Sequence, residues 1–349
     1  HGLNHIRFHS WCPPEAAFRA ADRMGFYLQA ELPIWGSVDE DSTTAKSRFL
    51  RREAHALFEA FGNHPSFVFF SSGNELGGSE KALNGLVKSF RQDDGRFLYA
   101  AGSNYHLGWL GPLSEEDIFV SCRKGSDGTP YGMNLRSSFA FVDADKGGML
   151  NGLAPNTMMN YEKAAKAAGK PVIGHETGQF QVYPRPGEEM KYKGVLRADN
   201  LETLLARAYG RHGKNKVSEF LKASGALSLL CYKADIETSL RTQSMSGFQM
   251  LDLQDYPGQG TALVGLLDAF MDSKGIVSPD SFRTFCGAVV PLLQTPRFVW
   301  SRDSVMHGEV LLSNYGESAL SATVDWMVRN GSGQNVGHGT VHGECAAGS

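Results

Sequence analysis

Two glutamates that each follow a short apolar run are the residues best placed to do chemistry. Glu75 follows the run Phe67–Phe70 within a few residues, and Glu176 follows the run Pro171–Gly174. A carboxylate at the end of a buried strand is costly unless it has a partner or a function. Two such carboxylates facing each other could donate a proton to a glycosidic oxygen and attack the anomeric carbon. The alternative is that Glu75 only begins a helix in a polar loop.

Aromatic side chains near the same strand ends could stack against a sugar ring. They are Trp11, Trp35, Tyr105 and Trp109. Other catalytic signatures are missing from the sequence, which has no Gly-x-Ser-x-Gly elbow and no Gly-x-x-x-x-Gly-Lys-[Ser/Thr] phosphate loop. His175-Glu176 lacks the second histidine of a His-Glu-x-x-His zinc motif, and the five cysteines show no Cys-x-x-Cys spacing. The pattern therefore favours carbohydrate chemistry.

Composition excludes several classes of protein. The 349 residues carry 34 basic and 37 acidic side chains without a basic block, which argues against nucleic acid as a partner. No stretch of 18 apolar residues occurs, so we expect no membrane span. With 42% apolar and 11% aromatic residues, the chain can build a sizeable core. Its length suits one large barrel with a smaller companion, or two average domains.

Strand-length apolar runs alternate with helix-like segments through most of the chain. The strands are predicted at Leu3–Phe8, Phe26–Ala30, Phe67–Ser71, Phe97–Ala101, Ile118–Cys122, Pro171–Gly174 and Phe248–Leu253. The helices are predicted at Glu15–Met24, Ser47–Phe61, Glu80–Phe90, Asn160–Ala168 and Leu201–Tyr209. This alternation predicts the α/β class and a (β/α)8 TIM barrel, although it supplies seven strands and not eight.

The pattern changes after about Thr295. Apolar and polar residues alternate in Phe298–Trp300, Glu309–Ser313 and Ala322–Val328, which is typical of antiparallel strands. We therefore expect a TIM-barrel catalytic domain at residues 1–294 and a partial, immunoglobulin-like β-sandwich at residues 295–349.

The segment His64–Glu75 resembles the acid/base strand of glycoside hydrolase family 2, which includes β-galactosidases, β-glucuronidases and β-mannosidases. In this segment a His-Pro-Ser precedes an apolar strand, and an Asn-Glu pair follows it. Asn4–Tyr27 is similar to the second barrel strand and helix of that family. Pro171–Glu176 is similar to its nucleophile strand, and Gly247–Asp252 to its last barrel strand. The tail resembles the sandwich that follows the barrel in large members.

The resemblance implies a retaining exo-β-glycosidase with Glu75 as general acid/base and Glu176 as nucleophile. It also implies that Asn74 hydrogen-bonds the sugar 2-hydroxyl. In a retaining enzyme the two carboxyl groups lie about 5–5.5 Å apart. Further substrate contacts are expected from His9, Trp11, Glu31, His175, Gln179 and Asp255. For the loop residues among them, a polar group satisfied within the protein is an equally good interpretation.

β-Galactosidase is the predicted activity within this family. β-Glucuronides, β-mannosides and α-L-arabinopyranosides stay open, because Ser10-Trp11-Cys12 replaces the usual His-Tyr-Pro of the pocket and Leu251–Asp255 stands where many members have Trp. The ligands of metal-dependent β-galactosidases have no counterpart in Leu32–Ser37, so we expect no catalytic Mg²⁺ and no cofactor. A non-catalytic carbohydrate-binding fragment is the alternative from a different class.

The chain begins with His1-Gly2, without an initiator methionine or a signal-peptide apolar region. Because Leu3–Phe8 corresponds to the second barrel strand of the family, the first strand has no counterpart. We expect either upstream residues or a second copy of this chain, as a homo-oligomer, to complete the barrel. The expected partner is a carbohydrate, not nucleic acid or a membrane. The resemblance implies that the full-length protein is exported to the periplasm or the extracellular space.

Overall fold

The structure is a computed structural model that describes residues 1–108, 110–121 and 154–348. Its helices are α1 (Glu15–Met24), α2 (Ala45–Phe61), α3 (Glu80–Asp93), α4 (Glu162–Ala168), α5 (Asp199–His212), α6 (Lys214–Leu240) and α7 (Pro279–Arg283). Its strands are β1 (His5–Arg7), β2 (Tyr27–Glu31), β3 (Trp35–Ser37), β4 (Phe67–Ser71), β5 (Asn74–Gly77), β6 (Leu98–Ala100), β7 (Phe119–Ser121), β8 (Val172–Gly178), β9 (Met245–Leu251), β10 (Val289–Gln294), β11 (Glu309–Asn314), β12 (Leu320–Arg329) and β13 (Asn335–Cys345). The predicted positions Trp109 and Cys122 lie outside the described residues.

Local signals explain where helices α2 and α3 begin and where α1 ends. The Thr44 and Ser79 hydroxyls accept hydrogen bonds from backbone amides in the first turns of α2 and α3, as N-caps do. Helix α1 ends at Gly25, whose φ of 71° is a conformation that glycine adopts without strain. The chain can therefore turn directly from each helix toward the next strand.

Most parallel strands of the described residues form two sheets, in the orders β1-β2-β4-β6 and β7-β8-β9, and β3 and β5 form a separate short parallel pair. Backbone hydrogen bonds join the two sheets: the amides of Asp117 and Ile118 donate to the Tyr99 carbonyl over 2.8 and 3.3 Å. The α/β class is confirmed. The predicted closed eight-stranded barrel is not confirmed by these two sheets. Within each sheet the strands run in one direction, so their carboxyl ends share an edge.

The main core lies between helices α1–α3 and the four-stranded sheet. Its largest members are aromatic, and the closest ring pairs pack 4.5–5.0 Å apart, as in Phe67–Phe97 and Phe58–Phe70. Removal of one such ring typically costs about 3–5 kcal/mol. This packing fixes β4, and with it the position at which Asn74 and Glu75 leave the sheet.

Two parts of the chain differ from the sequence-based expectation. The alternative that Glu75 begins a helix is wrong, because Asn74–Gly77 forms the short strand β5, which pairs with β3. The 27-residue helix α6 was not predicted, since its apolar residues do not gather on one face as in an amphipathic helix. Among the described residues, no helix is both long and apolar enough to cross a membrane.

The tail contains two antiparallel pairs, β10-β11 and β12-β13. They meet where the Asn314 side chain donates to the Ala346 carbonyl over 3.0 Å. The predicted strand Phe298–Trp300 is wrong, since these residues lie in an irregular segment. Strand β10 ends at Gln294 and pairs with β11, so one tail pair crosses the predicted boundary. The division into 1–294 and 295–349 stays a prediction.

Candidate active site

Glu75 and Glu176 converge at the carboxyl ends of the parallel strands. One carboxylate oxygen of each, together with a ring nitrogen of His175, lies within 4.8 Å of the others. Glu176 is buried and Glu75 is half-buried. Both have left-handed backbone conformations, with φ values of 44° and 48°. Such conformations are costly for residues other than glycine and cluster at functional sites. These three side chains have a spacing that could hold a metal ion, and the absence of a metal stays a prediction.

Backbone hydrogen bonds hold Glu75 in place. Its amide donates to the Ser103 carbonyl over 2.8 Å, and the Asn74 amide donates to the Ile34 carbonyl over 3.0 Å. Gly73 adopts a φ of 140°, and a Cβ there would lie 2.5 Å from the Ile34 side chain. Only glycine fits this close approach. The Glu75 side chain therefore projects from a segment whose backbone is hydrogen-bonded to Ile34 on one side and to Ser103 on the other.

Arg7, at the end of β1, joins the polar groups of the site. Its guanidinium donates to Glu31 over 2.6 and 3.1 Å, to Asn74 Oδ1 over 2.6 Å and to Glu176 Oε1 over 3.3 Å. Burial disfavours its charge, but the adjacent Glu31 and Glu176 carboxylates outweigh burial and raise the pKa of Arg7. Arg7 is a residue of this site that was not predicted from the sequence. The sequence signal that could have found it is its position at the end of a predicted strand, since Glu31 and Glu176 also lie at strand ends.

Glu31 is fully buried beside Arg7. It accepts hydrogen bonds from Arg7, from the Ser10 amide over 2.8 Å, from Gln29 over 3.2 Å and from the Ser103 hydroxyl. Burial would raise the pKa of Glu31, but the Arg7 charge and these hydrogen bonds hold it below its ordinary value. Both Glu31 oxygens accept hydrogen bonds from the protein. These contacts suit a residue that holds Arg7 in position.

Three predicted substrate contacts surround Glu176. Gln179 Nε2 donates to Glu176 Oε2 over 3.1 Å, and His175 Nε2 lies 3.4 Å from Oε1. His9 Nε2 lies 3.9 Å from the same oxygen, and its ring contacts the Trp35 ring with centroids 5.5 Å apart. The structure therefore brings His9, His175 and Gln179 together around the Glu176 carboxylate, and their contact with a substrate stays a prediction.

Other predicted residues have different surroundings. The Trp11 ring packs on Phe8 and, together with Glu31 and residues of α2, lines a cavity of about 580 Å³. Tyr105 is fully buried and donates to Glu116 over 2.8 Å. Asp255 is buried against Lys274, with 2.6 Å between Oδ2 and Nζ, and accepts the Gly265 amide over 2.8 Å.

Asp255 belongs to a second group of buried charges, which we call the Lys274 cluster and which our sequence analysis missed. Its members are Glu188, Asp252, Asp255, Asp268 and Lys274. Burial, with the negative charges of Asp255 and Asp268, raises the pKa of Glu188 to about 7. Burial, with the charges of Asp255 and Glu176, raises the pKa of Asp252 to about 8. Asp268 keeps a lowered pKa despite burial, because Lys191 and backbone amides bind it.

Comparison with known proteins gives a structural likeness without a sequence match. No protein-family model and no curated sequence matches the chain. Two similar solved structures are Bacteroides uniformis β-glucuronidases, at TM-score 0.50 and 15% and 14% identity, with 99% and 97% of this chain covered. A third is the exo-β-D-glucosaminidase CsxA, at TM-score 0.52, 14% identity and 99% coverage.

These likenesses establish a shared fold. The chain spans only about two fifths of the length of these three proteins, with 38%, 39% and 40% of their chains covered. The shared fold includes both parallel sheets, and these sheets carry Glu75 and Glu176 at their carboxyl ends.

Proposed function

We propose that this chain is the catalytic part of a retaining β-glycosidase of glycoside hydrolase family 2. The observation that carries this proposal is the approach of a Glu75 and a Glu176 carboxylate oxygen to within 4.8 Å. Retaining glycosidases use two carboxyl groups about 5–5.5 Å apart, whereas inverting enzymes need a wider gap for water. The fold shared with β-glucuronidases and an exo-β-D-glucosaminidase supports the same conclusion.

The proposed reaction is a double displacement. Glu176 attacks the anomeric carbon, and the bond to the leaving oxygen breaks with its electron pair while Glu75 gives that oxygen a proton. Water then attacks the anomeric carbon and gives a proton to Glu75, and the glycosyl–Glu176 bond breaks. Both glutamates return to their starting states. The net change is hydrolysis of one glycosidic bond.

Arg7 and Asn74 prepare the site for this sequence. Arg7 donates to Glu176 Oε1 over 3.3 Å and so orients the attacking carboxylate. The Oδ1 atom of Asn74 accepts from Arg7 over 2.6 Å, which fixes the amide, and we propose that its Nδ2 group donates to the bound sugar. That donor suits the sugar 2-hydroxyl, where hydrogen bonds strengthen as the oxocarbenium-like state develops. We propose His9, His175 and Gln179 as further contacts to the same sugar.

The substrate is proposed as a terminal β-linked sugar. A β-galactoside is the expectation from the sequence, and a β-glucuronide is equally supported, since two of the similar structures are β-glucuronidases. The proposal places the catalytic residues within 1–294 and requires no metal or cofactor.

A panel of aryl β-glycosides tests the proposal. We expect Glu75→Gln and Glu176→Gln to lower kcat by about 10²–10⁴-fold on whichever glycoside the chain hydrolyses. Azide should partly restore turnover to Glu176→Gly, because it replaces the missing nucleophile. Glu80→Gln, an exposed acid at the start of α3, is the matched control and should keep full activity. Sugar binding without hydrolysis of any aryl glycoside would instead indicate a carbohydrate-binding fragment.

A further inference from the structure

Trp35 presents an aromatic ring at the edge of the candidate active site. The residue is 62% exposed, yet its ring contacts the His9 ring with centroids 5.5 Å apart and planes at 67°. His9 Nε2 in turn lies 3.9 Å from Glu176 Oε1. The indole therefore lies one side chain away from the proposed nucleophile, with most of its surface open to solvent.

The backbone places Trp35 on the side of the acid/base. In the parallel pair β3-β5 the register sets Trp35 opposite Asn74, the residue before Glu75. The Asn74 amide donates to the Ile34 carbonyl over 3.0 Å, which ties the segment before Trp35 to the segment before Glu75. The position of the indole is thus coupled to that of the proton donor.

A second exposed tryptophan shows why position matters. Trp11 is 50% exposed, but its ring packs on Phe8 and borders the cavity beside α2. An exposed indole contributes to catalysis only where the reacting sugar can reach it. Of these two tryptophans, Trp35 has the ring that contacts a side chain beside Glu176.

The register of β3 with β5 places Trp35 beside the segment of the proposed proton donor. Glu75 protonates the glycosidic oxygen, so the group that leaves with this oxygen departs on the Glu75 side of the site. An indole is a flat apolar surface of the kind that packs against the carbon face of a sugar ring. We propose that Trp35 is the platform of the leaving-group subsite and that the natural leaving group is itself a sugar. This inference rests on the proposed function.

Two substrates with the same glycone distinguish a role of Trp35 in binding the leaving group from a role in the activity on every substrate. One is a disaccharide, whose leaving sugar would lie on Trp35; the other is the corresponding glycosyl fluoride, whose leaving group has no ring. We expect Trp35→Ala to lower kcat/KM for the disaccharide about 10-fold, the effect of losing roughly 1.4 kcal/mol of ring contact. For the fluoride, kcat/KM should stay within about 2-fold of the unmodified protein.

Two matched variants complete the design. Trp35→Phe keeps a flat ring and should retain most of the disaccharide activity. Trp326→Ala removes another exposed indole, from β12, and should leave kcat/KM unchanged for both substrates. Equal losses on both substrates, or no loss on the disaccharide, would overturn the subsite. Should Trp35→Ala unfold, Trp35→Phe and Trp35→Leu give the same comparison between a ring and an aliphatic side chain.

The same substrates distinguish failure of the subsite from failure of the proposed function. Glu176→Gln should lower kcat for both substrates to a similar extent, because the nucleophile serves each of them. Glu75→Gln should slow the disaccharide far more than the fluoride, which departs with little help from an acid. If these two patterns appear while Trp35→Ala affects both substrates equally, only the subsite is wrong. If neither glutamate matters, the proposed function is wrong as well.

Discussion

The candidate active site and the Lys274 cluster both bury more acidic than basic side chains, but the excess negative charge is stabilised differently in the two groups. At the active site one guanidinium donates to Glu31, Asn74 and Glu176, and the pKa of Glu31 falls despite complete burial. In the cluster, burial and neighbouring acids raise the pKa values of Glu188 and Asp252 to about 7 and about 8. The fork of donors on arginine can serve several acids at once, whereas a lysine ammonium acts as a point charge.

The two groups differ in what their cations do, although the charge of Glu176 adds to burial in raising the pKa of Asp252. Around Arg7 the donors fix the orientations of Glu31, Asn74 and Glu176. Around Lys274 the one short contact among the described residues is to Asp255, 2.6 Å away, and both partners are buried. We therefore expect changes at Arg7 to affect catalysis and stability together, and changes at Lys274 to affect stability alone.

Arg7→Met should have the largest effect. The substitution leaves buried Glu31 without its cation, and breaking a buried ion pair in this way costs about 3–5 kcal/mol. It also frees Asn74 and Glu176 from their fixed orientations, so we expect kcat/KM to fall at least about 100-fold in the molecules that remain folded. Urea unfolding and initial rates measure the two effects. A stable Arg7→Met protein with full activity would show that Arg7 does not orient Asn74 and Glu176 for catalysis.

Lys274→Met should give a comparable or smaller loss of stability, about 2–4 kcal/mol, because Asp255 loses its partner but can take up a proton. The activity of the folded fraction should stay within about 3-fold of the unmodified protein. The comparison uses kcat measured well below the unfolding midpoint. A loss of kcat as large as that of Arg7→Met would place Asp255 and its cluster in the catalytic machinery.

Glu188→Gln should have a smaller effect that depends on pH. The pKa of Glu188 is raised from 4.5 to about 7, so between these values the folded protein holds a proton that the unfolded chain has released. This group therefore lowers stability as pH rises through that window. We expect the variant to gain on the order of 2 kcal/mol relative to the unmodified protein between pH 5 and pH 8. Thermal unfolding at a series of pH values measures this gain. A stability difference between the two proteins that does not change with pH would contradict the expectation.

The strand that precedes Glu75 was predictable, and the segment that contains Glu75 was not. Phe67–Ser71 is a short apolar run typical of a buried parallel strand, and the observed β4 has the same bounds. Strand β5 has a polar start and ends in glycine, so no propensity marks it, and its pairing with β3 depends on tertiary structure. Helix α6 was missed because its apolar residues form no clear stripe.

The candidate site was predictable as a pair of acids but not as a network. Strand-end position pointed to Glu75 and Glu176 separately. The hydrogen bonds of Arg7 join residues 24, 67 and 169 positions away, and no local pattern encodes such contacts. Strand-end position also pointed to a residue that is bound within the protein. Asp255 is a polar residue after the last parallel strand and was predicted as a sugar contact, but Lys274 and the Gly265 amide bind its carboxylate.

The central claim is that Glu176 forms a covalent bond to the sugar. Incubation with the 2-deoxy-2-fluoro-β-galactosyl and -glucuronyl fluorides, followed by mass spectrometry of intact protein and peptides, tests it directly. We predict one glycosyl group on the peptide that contains Glu176, and none in the Glu176→Gln variant. Labelling of another residue, or turnover of aryl glycosides by a protein that neither probe labels or inactivates, would contradict the account.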